Sequence, residues 1–306
     1  MPVSVIIIQG AISLGILWSL MTIGVYMSYR ILEMPDLSVE GTIILGAALA
    51  ARMISQGQDP FLATFLAMLV GCIGGLITGI LHTKLRIPPI LAGILTMVAS
   101  YSVVIRIMGT SNVGLPPHGP MRVISVYTFL QELGLARQPA IIVLGSIVVI
   151  VAGLILFWFF GTEIGCAVRA TGNNRQMVKA QGVNTDVMII LCLMLSNGLV
   201  GLAGALVAQS QGFASVDMGV GTIVIGLASV IIAEVLFRVR SLWARLISLV
   251  AGAVIYRLII AFVLEMGMAP TDLRLFQAIT VAVALTLPLV HEKISKITGK
   301  NIGRRA

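Results

Sequence analysis

The sequence predicts an all-α polytopic membrane protein, and three observations carry that prediction. Of 306 residues, 58% are hydrophobic and only 10% charged, against roughly 25% charged in an ordinary soluble domain. Several runs of about 20 residues carry almost no charge, the length an α-helix needs to cross a ~30 Å hydrocarbon core at about 1.5 Å per residue. The strict alternation that outer-membrane barrel strands require is absent, and lipid offers backbone N–H and C=O groups no partner, so helices are the form that spans.

The chain reads as one transmembrane domain, residues 1–306, with nine spans near 4–28, 36–55, 61–81, 88–106, 139–160, 187–211, 219–237, 246–264 and 274–291. The first lacks the basic leader and small-residue cleavage site of a signal peptide, and its first charge is Arg30, so it is expected to remain as a span. The second is interrupted: PDLSVEG, 35–41, packs a helix-breaking proline, two carboxylates and a glycine into seven residues. Asp36 suits the cap of a half-helix starting near Leu37, with Ser38 and Glu40 in the first turn, where the helix dipole favours negative charge. Irregular backbone at membrane depth is tolerated where protein buries it or a wet cavity satisfies it, so Asp36, Ser38 and Glu40 are also candidates for lining a solute pathway.

Pro88 and Pro89 open the fourth span as first-turn prolines. Thr96 within it either returns its hydroxyl bond to its own helix or lines the pathway. Gly198, Gly201, Gly204 and Ala205 form a small-residue stripe on the sixth span that permits close helix approach, and Ser210, Gln211 and Asp217 follow at its outer end. Ionisable groups inside spans are expensive. Glu234 lies within a turn of its span's end, in reach of Arg238 at i+4, whereas Arg257 is deeper and pairs either with Glu265 or with the carboxylate of a solute.

Lysine and arginine placement sets the orientation. With the carboxyl terminus inside, the cytoplasmic set is Arg30, Lys84, Arg86, Arg169, Arg175, Lys179, Arg238, Arg240, Arg245, Lys293, Lys296, Lys300, Arg304 and Arg305. The outer set is Arg52, Arg106, Arg122, Arg137 and Arg274. Bases favour the cytoplasmic side, so the amino terminus is expected outside, in the cell membrane, with a basic cytoplasmic tail at 292–306. The net charge of +8 is spread through short loops and this tail rather than gathered in a patch, which excludes nucleic acid as the partner. The longest outer connection, 107–138, contains GTSNVGLPPHGP, which forbids regular helix, followed by VISVYTFLQELGL, which suits a short interfacial one. It is either a cap or docking surface or a plain connector. Cys72, Cys166 and Cys192 are odd in number and lack CxxC spacing, and His82, His118 and His291 fall in separate segments, so no disulfide framework, metal site or cofactor is expected.

One stretch contradicts the apolar background. EIGCAVRATGNNRQMVKAQGVNTD, 163–186, places a polar segment between two very apolar spans. Asn173 or Asn174 is suited to cap a short helix bearing Arg175, Gln176 and Met177, with Lys179 on the face of Arg175 and Met177 and Val178 as apolar contacts; Gly182 would end it. Asn184, Thr185 and Asp186 supply caps for the next span. Such a helix is too charged for lipid and too short to persist alone in water, so it requires a partner.

This stretch resembles the cytoplasmic coupling loop of permease subunits of ATP-binding cassette importers, in the family that takes up branched-chain amino acids, ribose and related solutes. PDLSVEGTIILGAALAA (35–51), LRIPPILAGILTMVASYSVVIRIMG (85–109) and LSNGLVGLAGALVAQSQG (195–212) resemble that family's interrupted second helix, proline-led span and glycine-rich span, in the family's order. PDLSVEG with ILTM and IRIMGTSN is closest to a subgroup linked to tryptophan and other hydrophobic amino acids, and Glu40, standing where the sugar branch has DLSVG, argues against a sugar. The resemblance implies two permeases, a second copy or a paralogue, two cytoplasmic ATPase subunits that hold ATP and grip Asn173, Asn174, Arg175, Gln176, Met177 and Lys179, and an extracellular solute-binding protein. No G-x-x-x-x-G-K-[ST] occurs, so the chain is not expected to be an enzyme. The rival readings are an ion-gradient-driven secondary transporter, whose mark would be carboxylates or histidines deep in several spans, and the same importer type for sugars or nucleosides.

Overall fold

The computed structural model describes residues 3–115, 125–132, 134–237, 239, 241–265, 275–280, 282 and 286. Among these, eight helices are long and apolar enough to cross a membrane: Ile7–Ile31, Ser38–Ser55, Pro60–Thr83, Pro89–Met108, Arg137–Gly161, Thr185–Gln211, Val216–Leu236 and Leu242–Glu265. The expected ninth, 274–291, lies largely outside the described residues, of which 275–280 are helical. Arg122, Arg238, Arg240, Arg274, His118, His291 and the tail 292–306 also lie outside them.

Local chemistry accounts for most boundaries. Helix α1 (Val3–Tyr26) runs on through a π-helical turn, Met27–Ile31, before the chain breaks at 32–37, where Glu33 adopts φ +53. Helix α2 is Ser38–Ser55. Asp59 caps α3 (Pro60–Thr83) by accepting the Phe61 N–H at 2.9 Å. Pro89 opens α4 (Pro89–Met108), which stops at Gly109, left-handed at φ +74. Next come strand β1 (Asn112–Gly114) and the short α5 (Thr128–Glu132), the part of the expected interfacial helix that is helical among the described residues. Helix α6 (Arg137–Gly161) leads to α7 (Glu163–Asn173), α8 (Arg175–Ala180) and α9 (Thr185–Gln211). Strand β2 (Phe213–Ser215) pairs antiparallel with β1, Asn112 opposite Ser215, and a 3-10 turn, Val216–Gly219, precedes α10 (Thr222–Leu236) and α11 (Leu242–Glu265). Three-residue strands are too short to leave a periodicity in sequence, and this pair was not expected.

Helix α9 is the central element, packed on α3, α2 and α1. Its backbone comes so close to its neighbours that a Cβ on Gly75 would strike the Leu193 carbonyl and one on Gly204 the Ile43 carbonyl. The small-residue stripe thus does what lipid-embedded helices need, since van der Waals contact, rather than water expulsion, holds them together.

Candidate functional site

The interruption in the second span lies deep in the bundle. Helix α9 has 27 residues, and Asn197, which meets the interruption, is about 18 Å along its axis from Thr185 and about 21 Å from Gln211 by the rise per residue. Asp36 is buried there, 4% exposed. Its Oδ1 accepts the Ser38 N–H at 2.9 Å, capping α2, which starts at Ser38, and its Oδ2 accepts from Asn197 Nδ2 at 2.8 Å. Ser38 Oγ donates to Asn197 Oδ1 at 3.2 Å, and Asn197 Nδ2 also donates to the Leu193 carbonyl. Helix α4 presses on this knot through Gly93, where a Cβ would meet the Leu37 nitrogen. Each carboxylate oxygen meets one fixed donor, which offsets part of the cost of a carboxylate at this depth.

Glu40, one turn on, stands apart from that knot. It is half-buried, and its Oε1 accepts the N–H of Gly221, the residue that opens α10, at 3.0 Å. One carboxylate therefore lies between the amino-terminal ends of two helices, where both dipoles favour it. Gly219 makes the junction possible, since a Cβ there would strike the Glu40 carbonyl. Tyr101 of α4 lies within electrostatic reach of both Glu40 and the exposed Asp217.

The other predicted groups are placed as follows. Thr96 is buried, donates to the Ala92 carbonyl at 3.1 Å and accepts from Thr78 of α3 at 2.9 Å. Glu234 pairs with Arg30 at 2.8 Å, because α10 brings it beside the π-helical turn of α1; its expected partner, Arg238, lies outside the described residues. Arg257 does not pair with Glu265; its guanidinium lies 4.1 Å over the Trp18 ring, and its Nε is buried without a hydrogen-bond partner among the described residues.

The segment 163–186 forms two helices rather than one. Thr162 caps α7 by accepting the Gly165 N–H at 3.2 Å, and Asn174, not Asn173, caps α8 by accepting the Met177 N–H at 3.0 Å. Asn173 is the last residue of α7, and Gly182, left-handed at φ +83, follows the end of α8. Asn184 caps α9 through the Asp186 and Val187 N–H groups. Arg175 and Lys179 differ in placement: Arg175 turns inward, donating from Nη2 to Met34 Sδ at 2.6 Å and lying 3.4 Å from His82 Nε2, whereas Lys179 is exposed. Val178 is the buried contact, and Met177, 48% exposed, projects outward with Gln176. Gly172 sits against the Ile31 carbonyl, joining α7 to the end of α1.

Sequence reasoning missed two buried side chains. Asn197 stands inside LSNGLVG, where the glycines drew attention and the amide did not. Gln209 accepts the Val126 N–H at 2.9 Å and donates to Thr64 at 2.7 Å, tying the connection between α4 and α6 to the bundle beside buried Tyr127, which donates to the Leu206 carbonyl. A lone amide within a span was the available signal for each.

These features sit in a chain with close relatives. The permease component of the branched-chain amino acid transport system is the family that matches residues 7–287, and the chain belongs to it. It is thus an importer permease of the ATP-binding cassette class, a transport subunit and not itself an ATPase. Over 94% of its length and 92% of the relative's, it is 37% identical to the tyrosine transport system permease protein of Clostridioides difficile (strain R20291). An uncharacterized protein of Rickettsia prowazekii (strain Madrid E) is 32% identical over 86% of this chain and 91% of its own. The galactofuranose transporter permease protein of Escherichia coli (strain K12) is 30% identical over 56% of this chain and 48% of its own. No solved structure matches.

Proposed function

We propose that this chain forms half of the solute pathway of an importer for an aromatic or other hydrophobic amino acid, with its amino terminus outside and its carboxyl terminus in the cytoplasm. One of two ATPase subunits grips the ledge made by the end of α7 and α8, a second permease copy or paralogue completes the pathway and engages the other, and an extracellular binding protein delivers solute. ATP closure drags the ledge and biases the pair between outward-open and inward-open states. The observation that carries the solute assignment is the near-full-length similarity to the tyrosine permease. The ledge supports the docking: Met177, Gln176 and Lys179 are exposed on a helix anchored from beneath by Val178 and Arg175.

For the pathway we assign Glu40 as the group that meets the solute's ammonium, because it is reachable and stabilised by two helix ends, while Asp36, Ser38 and Thr96 are satisfied by protein. A sugar importer is the second reading, favoured by the galactofuranose relative, although that similarity spans little more than half of this chain.

The test is uptake by the chain reconstituted with its ATPase and binding protein. The double variant Met177→Glu, Lys179→Glu is expected to lower ATP-driven tyrosine uptake about tenfold or more while membrane insertion and basal ATP hydrolysis persist. Undiminished uptake sinks the docking assignment. Uptake of galactofuranose or ribose but not tyrosine sinks the solute, and uptake that follows an ion gradient instead of ATP sinks the importer mechanism.

A further inference from the structure

Two cavities adjoin along α1 and α11 at the end of the bundle that carries α7 and α8. The first, about 260 Å³, is lined by Tyr26, Arg30, Glu33, Arg169, Leu242 and Arg245 among others. The second, about 680 Å³, is an almost wholly apolar groove between α1, α6 and α11, including Ile23, Val149, Leu246 and Val250. Ile23 is one turn from Tyr26, and Leu246 one turn from Leu242, so the groove begins where the basic cavity ends. Trp243, a groove residue, stacks edge-on with Phe157 at 5.3 Å, and both rings are partly exposed. Aromatic rings of this kind mark the level of lipid headgroups.

Among the described residues the basic cavity carries an excess of one positive charge. Arg30 pairs with Glu234 at 2.8 Å, and Glu33 also lines the cavity, so the described residues set three guanidiniums against two carboxylates. Arg169 and Arg245 are held in place from behind, Arg169 Nη2 donating to the Phe160 carbonyl at 3.0 Å and Arg245 Nη1 to the Tyr26 hydroxyl at 3.2 Å. Each guanidinium has five N–H donors, most of them beyond those bonds.

We propose that the two cavities form one binding site for a phospholipid of single net negative charge, its phosphodiester between Arg169 and Arg245 and an acyl chain along the groove. The occupant must be anionic at one end and aliphatic at the other, with the join at headgroup level. The stretch 292–306 carries Lys293, Lys296, Lys300, Arg304 and Arg305, the same sign of charge as the cavity, so it does not supply the anion. The proposal rests on the membrane-spanning fold and not on which end faces the cytoplasm or on what grips α8.

Native mass spectrometry of the full chain, purified in mild detergent and exposed to equal amounts of phosphatidylglycerol and phosphatidylethanolamine, tests it. One phosphatidylglycerol is expected to stay bound in preference. Arg245→Gln and, on the other wall, Arg169→Gln are each expected to lower its retention about fivefold. Val250→Trp, which fills the groove and leaves every charge in place, is expected to lower it as well. Monodispersity by size-exclusion chromatography identifies a variant that has not folded, and the remaining two then carry the test. Equal retention of the two lipids, or retention unchanged in the folded variants, overturns the site. Release of the lipid by inorganic phosphate assigns the arginines to a soluble anion, and release by the ATPase subunit assigns them to a protein contact; either also overturns it. Because the chain is measured alone, failure here leaves the docking of α8 standing.

Discussion

Asp36 and Glu40 are a helical turn apart in one motif, yet their surroundings give them different work. Asp36 is closed off, with the Ser38 N–H and the Asn197 amide filling its oxygens, so its removal strands buried donors. Loss of a hydrogen bond to a charged group costs about 1.5–3 kcal/mol, and stranding its partner adds to that. Asp36→Ala is therefore expected to destabilise the detergent-purified chain by about 2 kcal/mol, and Asn197→Ala by a similar amount. Since both delete the same contact, the double variant should fall short of the sum by about 1 kcal/mol. Glu40→Gln keeps the Gly221 N–H satisfied, so thermal stability should hold while apparent affinity for an amino acid drops about tenfold, the worth of one charge-assisted contact. Additive losses in the first pair refute the shared knot; an Glu40→Gln protein with normal affinity refutes the ammonium contact.

At the scale of elements, the spans were legible because lipid imposes length and apolarity together, and eight of the nine expected stretches correspond to described helices. The break at 35–41 was legible too, since proline and two carboxylates cannot be hidden in a continuous span. Helix α7 was not: Gly165 and Gly172 lower its local propensity, and both are required by packing, Gly165 against the Phe159 carbonyl and Gly172 against the Ile31 carbonyl. The inward turn of Arg175 was equally hidden, because i, i+4 spacing places it beside Lys179 while Met34 and His82, remote in sequence, hold it. Gly172 gives the element-scale prediction. Gly172→Ala pushes a methyl group onto the Ile31 carbonyl, a strain of about 1–3 kcal/mol, which α7 relieves by lifting from the end of α1. Hydrogen exchange should rise across 163–173 with α3 and α9 unchanged, and uptake should fall while ATP hydrolysis continues. Unaltered exchange in that segment refutes the tie between ledge and span.

The molecule as a whole has a charge asymmetry that predicts which way it points. Following the helices across, Arg30, Lys84, Arg86, Arg169, Arg175, Lys179 and Arg245 of the described residues gather at the end bearing α7 and α8, whereas Arg52, Arg106 and Arg137 lie at the other, where Arg137 donates to the Ser210 carbonyl at 2.9 Å. Insertion machinery retains bases in the cytoplasm, so this excess predicts that the ledge faces ATP. The natural cysteines make a direct probe. Cys166, on α7, is exposed; Cys192 is buried in α9, and Cys72 is half-buried within α3. A membrane-impermeant maleimide should leave the wild-type chain unlabelled in intact cells and label it in inside-out vesicles, with the signal lost in Cys166→Ser. Labelling from outside intact cells would reverse the whole chain, moving Met177 and Lys179 out of reach of any cytoplasmic ATPase and removing the one geometry by which ATP hydrolysis could drive this bundle.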